Sequence, residues 1–282
     1  MLFHFGDNVF KTLVLIKINY TSRIVFFCVF TIIEYLEYKQ IMNSIEFGYK
    51  EEGCGDVVLF LHGYGCNKNT MDVIYNCIKN THHVVSLDLP GFGDTKVESD
   101  YDIYEYAIQV YLFCANKNYK NINIVCHSFG GRIAIILSTL FDIKINKLVL
   151  IDIAGLKYRF NIFTYIKSQI IRLKKRYCIK KYGYTKRMEK YYSEDYRNSS
   201  MELKSVFVKV VNQYLNYLIK DISCSVIIVW GNGDNAVPIY MAKYLFNNIK
   251  SSSLYIINNA GHFPFINSPV LCNSIIKSFL KN

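Results

Sequence analysis

The sequence lacks several patterns that would place it in a specialised class of protein. Its nine cysteines are odd in number, scattered and without a C-x-x-C pair, which argues against both a disulfide framework and a zinc site. It has no internal repeat and no low-complexity tract. A hydrophobic content of 51% over 282 residues argues against disorder and is ample for one large or two small α/β domains. We therefore expect a folded protein with free thiols in a reducing, cytoplasmic compartment.

The first 41 residues are apolar and aromatic but contain no long uncharged run. Basic residues interrupt them, and the ten uncharged residues from 24 to 33 are too few to span a bilayer. A positive stretch followed by an apolar one is typical of a signal peptide, yet residues 34–38 offer no small-residue cleavage site. Three interpretations stay open: a non-native or dispensable extension before a true start at Met42, a membrane-associating anchor, or a cleaved signal.

Short apolar runs alternate with helical stretches from Asp56 onward. The predicted strands are 45–50, 57–61, 84–87, 122–126, 145–151, 226–230 and 254–257, and the predicted helices are 70–79, 101–116, 132–140, 239–248 and 269–280. Strands that alternate with helices indicate a parallel sheet.

The alternation stops between Asp152 and about Asp221, where helical spacing takes over. Five large apolar residues recur there at steps of three and four, which places them on one helical face: Phe163, Ile166, Ile170, Leu173 and Tyr177. The pattern predicts an inserted helical lid. We interpret the apolar stripe as a core-packing face, with substrate contact as the alternative.

Acidic residues are nearly missing from the first part of this insertion. Residues 157–192 contain twelve basic residues and the single acid Glu189, and the resulting local charge of +11 equals the net charge of the whole chain. One interpretation is a solvated lid surface. The other is attraction to an anionic substrate or an anionic membrane surface, with Phe160, Ile162 and Phe163 available to insert. Nucleic acid is disfavoured because no recognised binding motif accompanies the charge.

One serine lies where a β-branched strand meets a helical stretch, in Cys126-His127-Ser128-Phe129-Gly130-Gly131. A nucleophile on such a sharp turn stands clear of the sheet edge, and the turn needs small neighbours because backbone passes close to it. Gly130 supplies one small neighbour. Cys126 replaces the first glycine of the G-x-S-x-G pattern and is compact enough to do so; within an apolar strand it is expected to be inert.

A serine nucleophile needs a base and an acid that orients the base, and two residues are suitably placed. Asp234 and His262 each follow a predicted strand, at the sheet edge where open parallel sheets collect their active-site residues. Asp88 and Asp152 also end strands and are the alternative acids. Metal is not required by this chemistry.

Donors for a developing oxyanion are expected beside the serine. Leu61-His62-Gly63-Tyr64-Gly65 directly follows the strand 57–61, and its glycines let backbone N–H groups point inward. We choose the N–H groups of Tyr64 and Phe129 as the donors.

Five motifs together resemble those of the α/β-hydrolases with a lid, over roughly residues 45 to 282. They are His62-Gly63-Tyr64-Gly65, Asp88-Leu89-Pro90-Gly91-Phe92-Gly93, His127-Ser128-Phe129-Gly130-Gly131, Trp230-Gly231-Asn232-Gly233-Asp234 and Gly261-His262. The resemblance implies an α/β-hydrolase fold with a mostly parallel, doubly wound sheet. It divides the chain into a core (42–154 and 216–282) and a lid (155–215), after the extension 1–41.

The same resemblance implies roles for individual residues. Ser128 would be the nucleophile, Asp234 the acid and His262 the base. His62 resembles a structural histidine beside the oxyanion loop, and it joins Gly63 and His127 as a candidate for substrate binding.

The leading hypothesis is a serine hydrolase that cleaves a carboxylic ester, thioester or related acyl bond of a small molecule, without a metal or cofactor. A lyase or synthase on the same triad is the first alternative, because the menaquinone-pathway enzymes also have an arginine after the elbow, as Arg132 is here. A binding module that has lost turnover is the second. The sequence does not predict the acyl group, the leaving group or the oligomeric state.

Overall fold

A single mixed sheet organises the part of the chain that the computed structural model describes, which is residues 45–97, 100–157, 159, 162–182 and 192–281. Its strands are β1 (Tyr49–Glu52), β2 (Val57–Leu61), β3 (His83–Leu87), β4 (Asn121–His127), β5 (Lys144–Ile151), β6 (Ser225–Gly231) and β7 (Ser252–Ile257). They lie in the order β1-β3-β2-β4-β5-β6-β7, and only the pairing of β1 with β3 is antiparallel. The predicted, mostly parallel sheet is confirmed.

Helices follow most strands, as the sequence pattern predicts. Their bounds are α1 (Asp72–Ile78), α2 (Ile103–Asn116), α3 (Phe129–Leu140), α4 (Ile162–Tyr182), α5 (Glu194–Asn198), α6 (Met201–Val211), α7 (Tyr240–Asn248), α8 (Pro264–Asn267) and α9 (Pro269–Lys281). A 3₁₀ turn, Ile219–Asp221, precedes β6. None of the described helices combines the length and the apolar character that crossing a membrane requires.

Two apolar clusters cover the two faces of the sheet. Helices α2, α3 and α7 pack on one face together with buried residues of α6, and helices α1, α8 and α9 pack on the other. Because β-strand side chains alternate between faces, Leu59 and Leu61 of β2 join the first cluster while Val58 and Phe60 join the second. This is the doubly wound arrangement that was predicted, and it is the α/β-hydrolase fold.

Some predicted boundaries and environments differ from the observed ones. The first strand begins at Tyr49 and not at residue 45, although Ile45 and Phe47 are still buried. The helix after the serine begins at Phe129, three residues earlier than predicted. At the start of β3, His82 is buried and its neighbour His83 contacts the Glu51 carboxylate at 2.7 Å.

The helices α4, α5 and α6 lie between β5 and β6, in the segment predicted to be a lid. Buried residues of α6 belong to the core, but the stripe on α4 does not: Ile166, Ile170, Leu173 and Tyr177 are all exposed. The expectation that this stripe packs against the core is therefore wrong for these four residues. The boundaries 42–154, 155–215 and 216–282, and the role of the segment as a lid, stay predictions.

Several sequence predictions fall outside the described residues. These are the extension 1–41 and Met42, the insertion of Phe160, and the basic residues Lys186, Arg187 and Lys190; the side chains of Ile162 and Phe163 are also outside. All eight cysteines within the described part are free. The cytoplasmic location stays a prediction.

Candidate active site

Ser128 occupies the sharp turn between β4, which ends at His127, and α3, which begins at Phe129. Its backbone has φ 48° and ψ −109°, a region that L-residues rarely adopt and that costs of order 1–3 kcal/mol. Surrounding hydrogen bonds hold this conformation: the Ser128 N–H donates to the Ile151 carbonyl at 3.1 Å, and its carbonyl accepts from the Ala154 N–H at 3.0 Å. The turn thus presents the hydroxyl at the carboxyl edge of the sheet.

Close backbone approach explains the small residues beside the serine. A Cβ on Gly130 would lie 2.2 Å from the Leu61 carbonyl oxygen, so only glycine fits. Cys126, on the other side, is fully buried and its Sγ donates to the Val149 carbonyl at 3.3 Å. Burial raises the pKa of this thiol far above its usual value, so it remains protonated and is not a competing nucleophile.

The three residues predicted to form a triad lie in one hydrogen-bonded chain. His262 Nδ1 is 2.7 Å from Asp234 Oδ2, and His262 Nε2 is 2.9 Å from Ser128 Oγ. Because a carboxylate only accepts, Nδ1 carries the proton and Nε2 accepts from the serine hydroxyl. This is the tautomer in which a histidine can take a proton from serine.

The loop after β6 fixes the Asp234 carboxylate. Its Oδ1 accepts from the backbone N–H groups of Ala236 at 2.7 Å and Val237 at 3.0 Å, which leaves Oδ2 for His262. Burial raises the pKa of Asp234, but the hydrogen bonds from His262 and Val237 outweigh it and hold the pKa below its usual value. The carboxylate is therefore ionised at neutral pH.

A second buried carboxyl, Asp152, lies beside Asp234. Asp152 follows β5, has φ 41° and accepts from the Gly231 N–H at 3.1 Å. The pKa of Asp152 is raised to about 9, mainly by burial and then by the hydrogen bond to Asp234 and the negative charge of Asp234. Asp152 is thus a neutral acid that donates its proton to Asp234, and Asp234 is the carboxylate that contacts His262.

Asp152, Asp234 and His262 also place three candidate metal ligands within 4.8 Å of one another. Each of these groups already has a hydrogen-bond partner within the chain. Asp152 accepts from Gly231, Asp234 accepts from Ala236 and Val237, and His262 contacts Ser128. The three groups therefore belong to a series of hydrogen bonds that ends at Ser128.

The residues predicted to supply oxyanion donors are Phe129, which directly follows Ser128, and Tyr64. Gly63 lies close to it, since a Cβ there would be 3.3 Å from the Ser128 Cβ. The Phe129 N–H belongs to the first turn of α3, where helical N–H groups have no intrahelical partner. Among the described residues it donates to no other backbone carbonyl. Tyr64 follows Gly63, and its ring packs edge-on against that of Phe129 with centroids 5.7 Å apart.

The candidates for substrate binding have other contacts. His62 is buried; its Nδ1–H donates to the Gly63 carbonyl at 2.7 Å and its Nε2 accepts from the Leu89 N–H at 2.9 Å. Burial lowers the pKa of His62 to about 4, so it is neutral. Both ring nitrogens join two loops, and a substrate contact by His62 stays a prediction.

His127 is likewise buried and faces the base. Its Nε2–H donates to the His262 carbonyl at 2.7 Å, and its ring contacts that of Phe263 with centroids 4.7 Å apart. Burial, with a smaller effect of His262, lowers the pKa of His127 to about 3. The observed contacts hold the His262 loop; a substrate contact by His127 stays a prediction.

The alternative acid Asp88 is used in a loop. Its carboxylate accepts from the backbone N–H groups of Lys68 at 2.6 Å and Asp94 at 2.8 Å, and it also contacts the Lys68 ammonium at 2.7 Å. These contacts brace the turn after β3. Asp88 is therefore excluded as the partner of His262.

The helical segment before β6 contacts two elements near Ser128, the loop after β2 and helix α3. The Tyr64 hydroxyl donates to the Leu203 carbonyl of α6 at 3.1 Å. Arg132, buried on α3, donates to the Gln213 carbonyl just after α6. Arg132 thus has a structural contact within the chain, and the lyase or synthase alternative that it suggested stays open.

Sequence reasoning missed the pairing of Asp152 with Asp234 and the hydrogen bond of His127 to the base loop. Asp152 did give a signal, a carboxylate directly after a strand that neighbours β6 in the sheet. His127 gave none, because its partner is a backbone carbonyl 135 residues further along the chain.

Comparisons with known proteins agree with this architecture. A family model described as alpha/beta hydrolase fold matches residues 56–164. The pimeloyl-[acyl-carrier protein] methyl ester esterase of Wigglesworthia glossinidia brevipalpis is 25% identical over 255 residues, covering 81% of this chain and 95% of that protein. A monoacylglycerol lipase of Mus musculus is 22% identical over 254 residues, covering 79% and 75% respectively.

Solved structures share the fold at low sequence identity. An esterase from Exiguobacterium antarcticum superposes with a TM-score of 0.67 at 17% identity, covering 84% of this chain and 96% of that one. Taken with the family model over residues 56–164, the sheet order and the turn at Ser128 show that this chain has the α/β-hydrolase fold.

Proposed function

We propose that this protein is a serine hydrolase that cleaves a carboxylic ester, thioester or related acyl bond through Ser128, His262 and Asp234. The observation that carries the proposal is the unbroken hydrogen-bond chain from Asp234 Oδ2 through both ring nitrogens of His262 to Ser128 Oγ. A serine hydroxyl is a weak nucleophile without such a base.

The chemistry divides into two halves. Ser128 Oγ attacks the acyl carbon as His262 Nε2 takes its proton, and Asp234 stabilises the imidazolium that forms. The tetrahedral intermediate collapses, and the leaving group departs with the proton from His262. A water molecule, activated by the same base, then hydrolyses the acyl-enzyme and frees Ser128.

The oxyanion of each tetrahedral intermediate needs fixed donors. We assign this role to the N–H groups of Tyr64 and Phe129, and the loss of one such donor typically lowers kcat by about 10²–10³. Support for Phe129 comes from its place in the first turn of α3, directly after the nucleophile. Gly63 allows the preceding loop to approach Ser128 closely.

An acyl ester is also the substrate class that the relatives favour. The two curated relatives described above are named a methyl ester esterase and a monoacylglycerol lipase. Their names leave both short and long acyl chains open for this protein. A panel of esters and thioesters of graded chain length would report the depth of the acyl pocket.

A fluorophosphonate probe tests the proposal directly, because it labels a serine only when a base activates it. We expect labelling of the wild-type chain and of Ser138→Ala, whose hydroxyl donates to a carbonyl of its own helix. Ser128→Ala should not label, and its ester turnover should fall by at least about a thousandfold.

Labelling that survives Ser128→Ala would overturn the assignment of the nucleophile. Labelling at Ser128 without turnover of any ester or thioester in the panel would instead favour the lyase, synthase or binding-module alternatives.

A further inference from the structure

Helix α4 exposes a continuous apolar stripe. Ile166, Ile170, Leu173 and Tyr177 are between 47% and 63% exposed, although three of them are aliphatic. At 3.6 residues per turn, these four residues fall within roughly 60° of the helix circumference. The helix has 21 residues, so the stripe extends along a rod roughly 30 Å long.

Among the described side chains of α4, the half-buried ones lie outside the stripe. They are Gln169, roughly 70° from the centre of the stripe on one side, and Ile171 and Cys178, roughly 120° from it on the other. An amphipathic helix normally buries its strongest apolar face against the core. Here that face is directed to solvent.

Basic residues border the stripe on both sides. Arg176 and Lys180 follow one edge, and Lys174 and Lys181 follow the other; all four are exposed. The sequence contains no Asp or Glu between Asp152 and Glu189, so no acidic side chain of this segment offsets them. The face therefore combines exposed apolar residues with a positive border.

A lipid surface with anionic headgroups is the partner that complements both features. An interfacial helix inserts its apolar residues at the boundary of headgroups and acyl chains while its lysines and arginines meet the headgroups. A nucleic acid would use the charges but leave the stripe in water. A second copy of the chain would place two basic helices side by side, with unfavourable repulsion.

We propose that α4 docks this protein on an anionic lipid surface, with Ile166, Ile170, Leu173 and Tyr177 inserted and the bordering basic residues against the headgroups. This surface includes none of Ser128, Asp234 and His262. The proposal does not depend on the proposed hydrolase activity, and its test measures binding alone.

Vesicle co-sedimentation of the full chain tests the charges. We expect binding to vesicles of phosphatidylcholine and phosphatidylserine, weaker binding to phosphatidylcholine alone, and a steep loss between ~0.1 M and ~1 M salt as the Debye length falls from about 10 to 3 Å. The triple variant Lys174→Glu, Arg176→Glu, Lys180→Glu should bind at least about tenfold more weakly at low salt.

A matched triple variant separates local from global charge. Lys220, Lys243 and Lys250 are exposed in other parts of the chain, and their replacement by glutamate changes the net charge equally. This control should bind nearly as well as the wild type. Equal losses in the two triple variants would overturn docking through α4.

Insertion of the stripe is tested by fluorescence. The single native tryptophan, Trp230, is fully buried and gives a constant background. Leu173→Trp should shift its emission to the blue on anionic vesicles, whereas Val270→Trp, at a position 80% exposed on α9, should not. No shift for Leu173→Trp would overturn the proposal.

Two further results would also contradict it. Unchanged vesicle binding by Ile170→Ser, Leu173→Ser would show that another segment, such as residues 1–41, carries the interaction. Binding to duplex DNA that matches binding to vesicles and survives the same two substitutions would assign the charge to nucleic acid. Val270→Ser, Leu271→Ser is the control, because it removes two exposed apolar side chains from α9.

Discussion

The protonated carboxyl of Asp152 predicts an alkaline limit to activity. Its pKa is raised to about 9, mainly by burial and then by Asp234, so at neutral pH it donates a hydrogen bond to that carboxylate. Above about pH 9 the proton is lost, and two adjacent carboxylates repel each other beside His262. Since the acid form is the one that supports Asp234, kcat should fall as pH rises through the pKa.

The size of the effect follows from the titration. At about pH 10, one unit above the pKa, roughly a tenth of the wild-type molecules keep the Asp152 proton, so kcat should be about tenfold below its value near pH 7. Asp152→Asn carries an amide that donates to Asp234 and does not titrate. Asparagine also tolerates the positive φ of 41°. This variant should lose less than about twofold over the same range.

The assay is kcat for a short-chain ester from about pH 6 to 10, corrected for spontaneous hydrolysis, with thermal unfolding at each pH to confirm that the fold persists. Asp142→Asn, an exposed carboxylate after α3, is the control and should retain the wild-type profile. An unchanged alkaline fall in Asp152→Asn would refute the reasoning. A loss above about a hundredfold near pH 7 would show that Asp152 is the ionised acid of the site.

Three further changes probe the base, the turn and the start of the chain. His262→Ala should lower kcat more than Asp234→Asn, because the acid orients the base without exchanging protons with substrate. A larger loss of kcat in Asp234→Asn than in His262→Ala would contradict the assigned roles. Gly130→Ala places a Cβ 2.2 Å from the Leu61 carbonyl oxygen and should cost about 1–3 kcal/mol, visible as a Tm lowered by several degrees; an unchanged Tm would show that the turn can relax. A chain that begins at Met42 should unfold cooperatively and keep its activity, because every predicted strand follows it; loss of solubility would contradict this.

The sheet and the three residues at its edge could be predicted because the signals are local. Ser128, Asp234 and His262 each follow a short apolar run, and in a parallel sheet the carboxyl ends of strands meet at one edge. The strands β4, β6 and β7 that carry them lie on the same side of β2 in the sheet. No long-range information is needed to infer that such residues meet.

The same signals could not predict which of the two carboxyls, Asp152 or Asp234, contacts His262. Asp152 and Asp234 both follow strands, and β5 and β6 are neighbours in the sheet. What separates them is which oxygen reaches His262 Nδ1 and how many backbone N–H groups stabilise the charge. Asp234 accepts two such bonds and Asp152 accepts one, from Gly231. These contacts join positions far apart in the chain.

The sequence also could not predict that the α4 stripe faces solvent and not the core. The reason supports the lipid proposal. Periodicity shows that Ile166, Ile170, Leu173 and Tyr177 share a face, but not whether that face meets the core. Burial of a large apolar side chain stabilises a fold by about 1.5–3 kcal/mol, so a helix that leaves four exposed forgoes a substantial stabilisation. The bordering lysines and arginines make the alternative, packing this face against the core, costly because their charges would lose water. A lipid surface satisfies both sets of residues at once, since it takes up the apolar stripe and leaves every charge beside a headgroup.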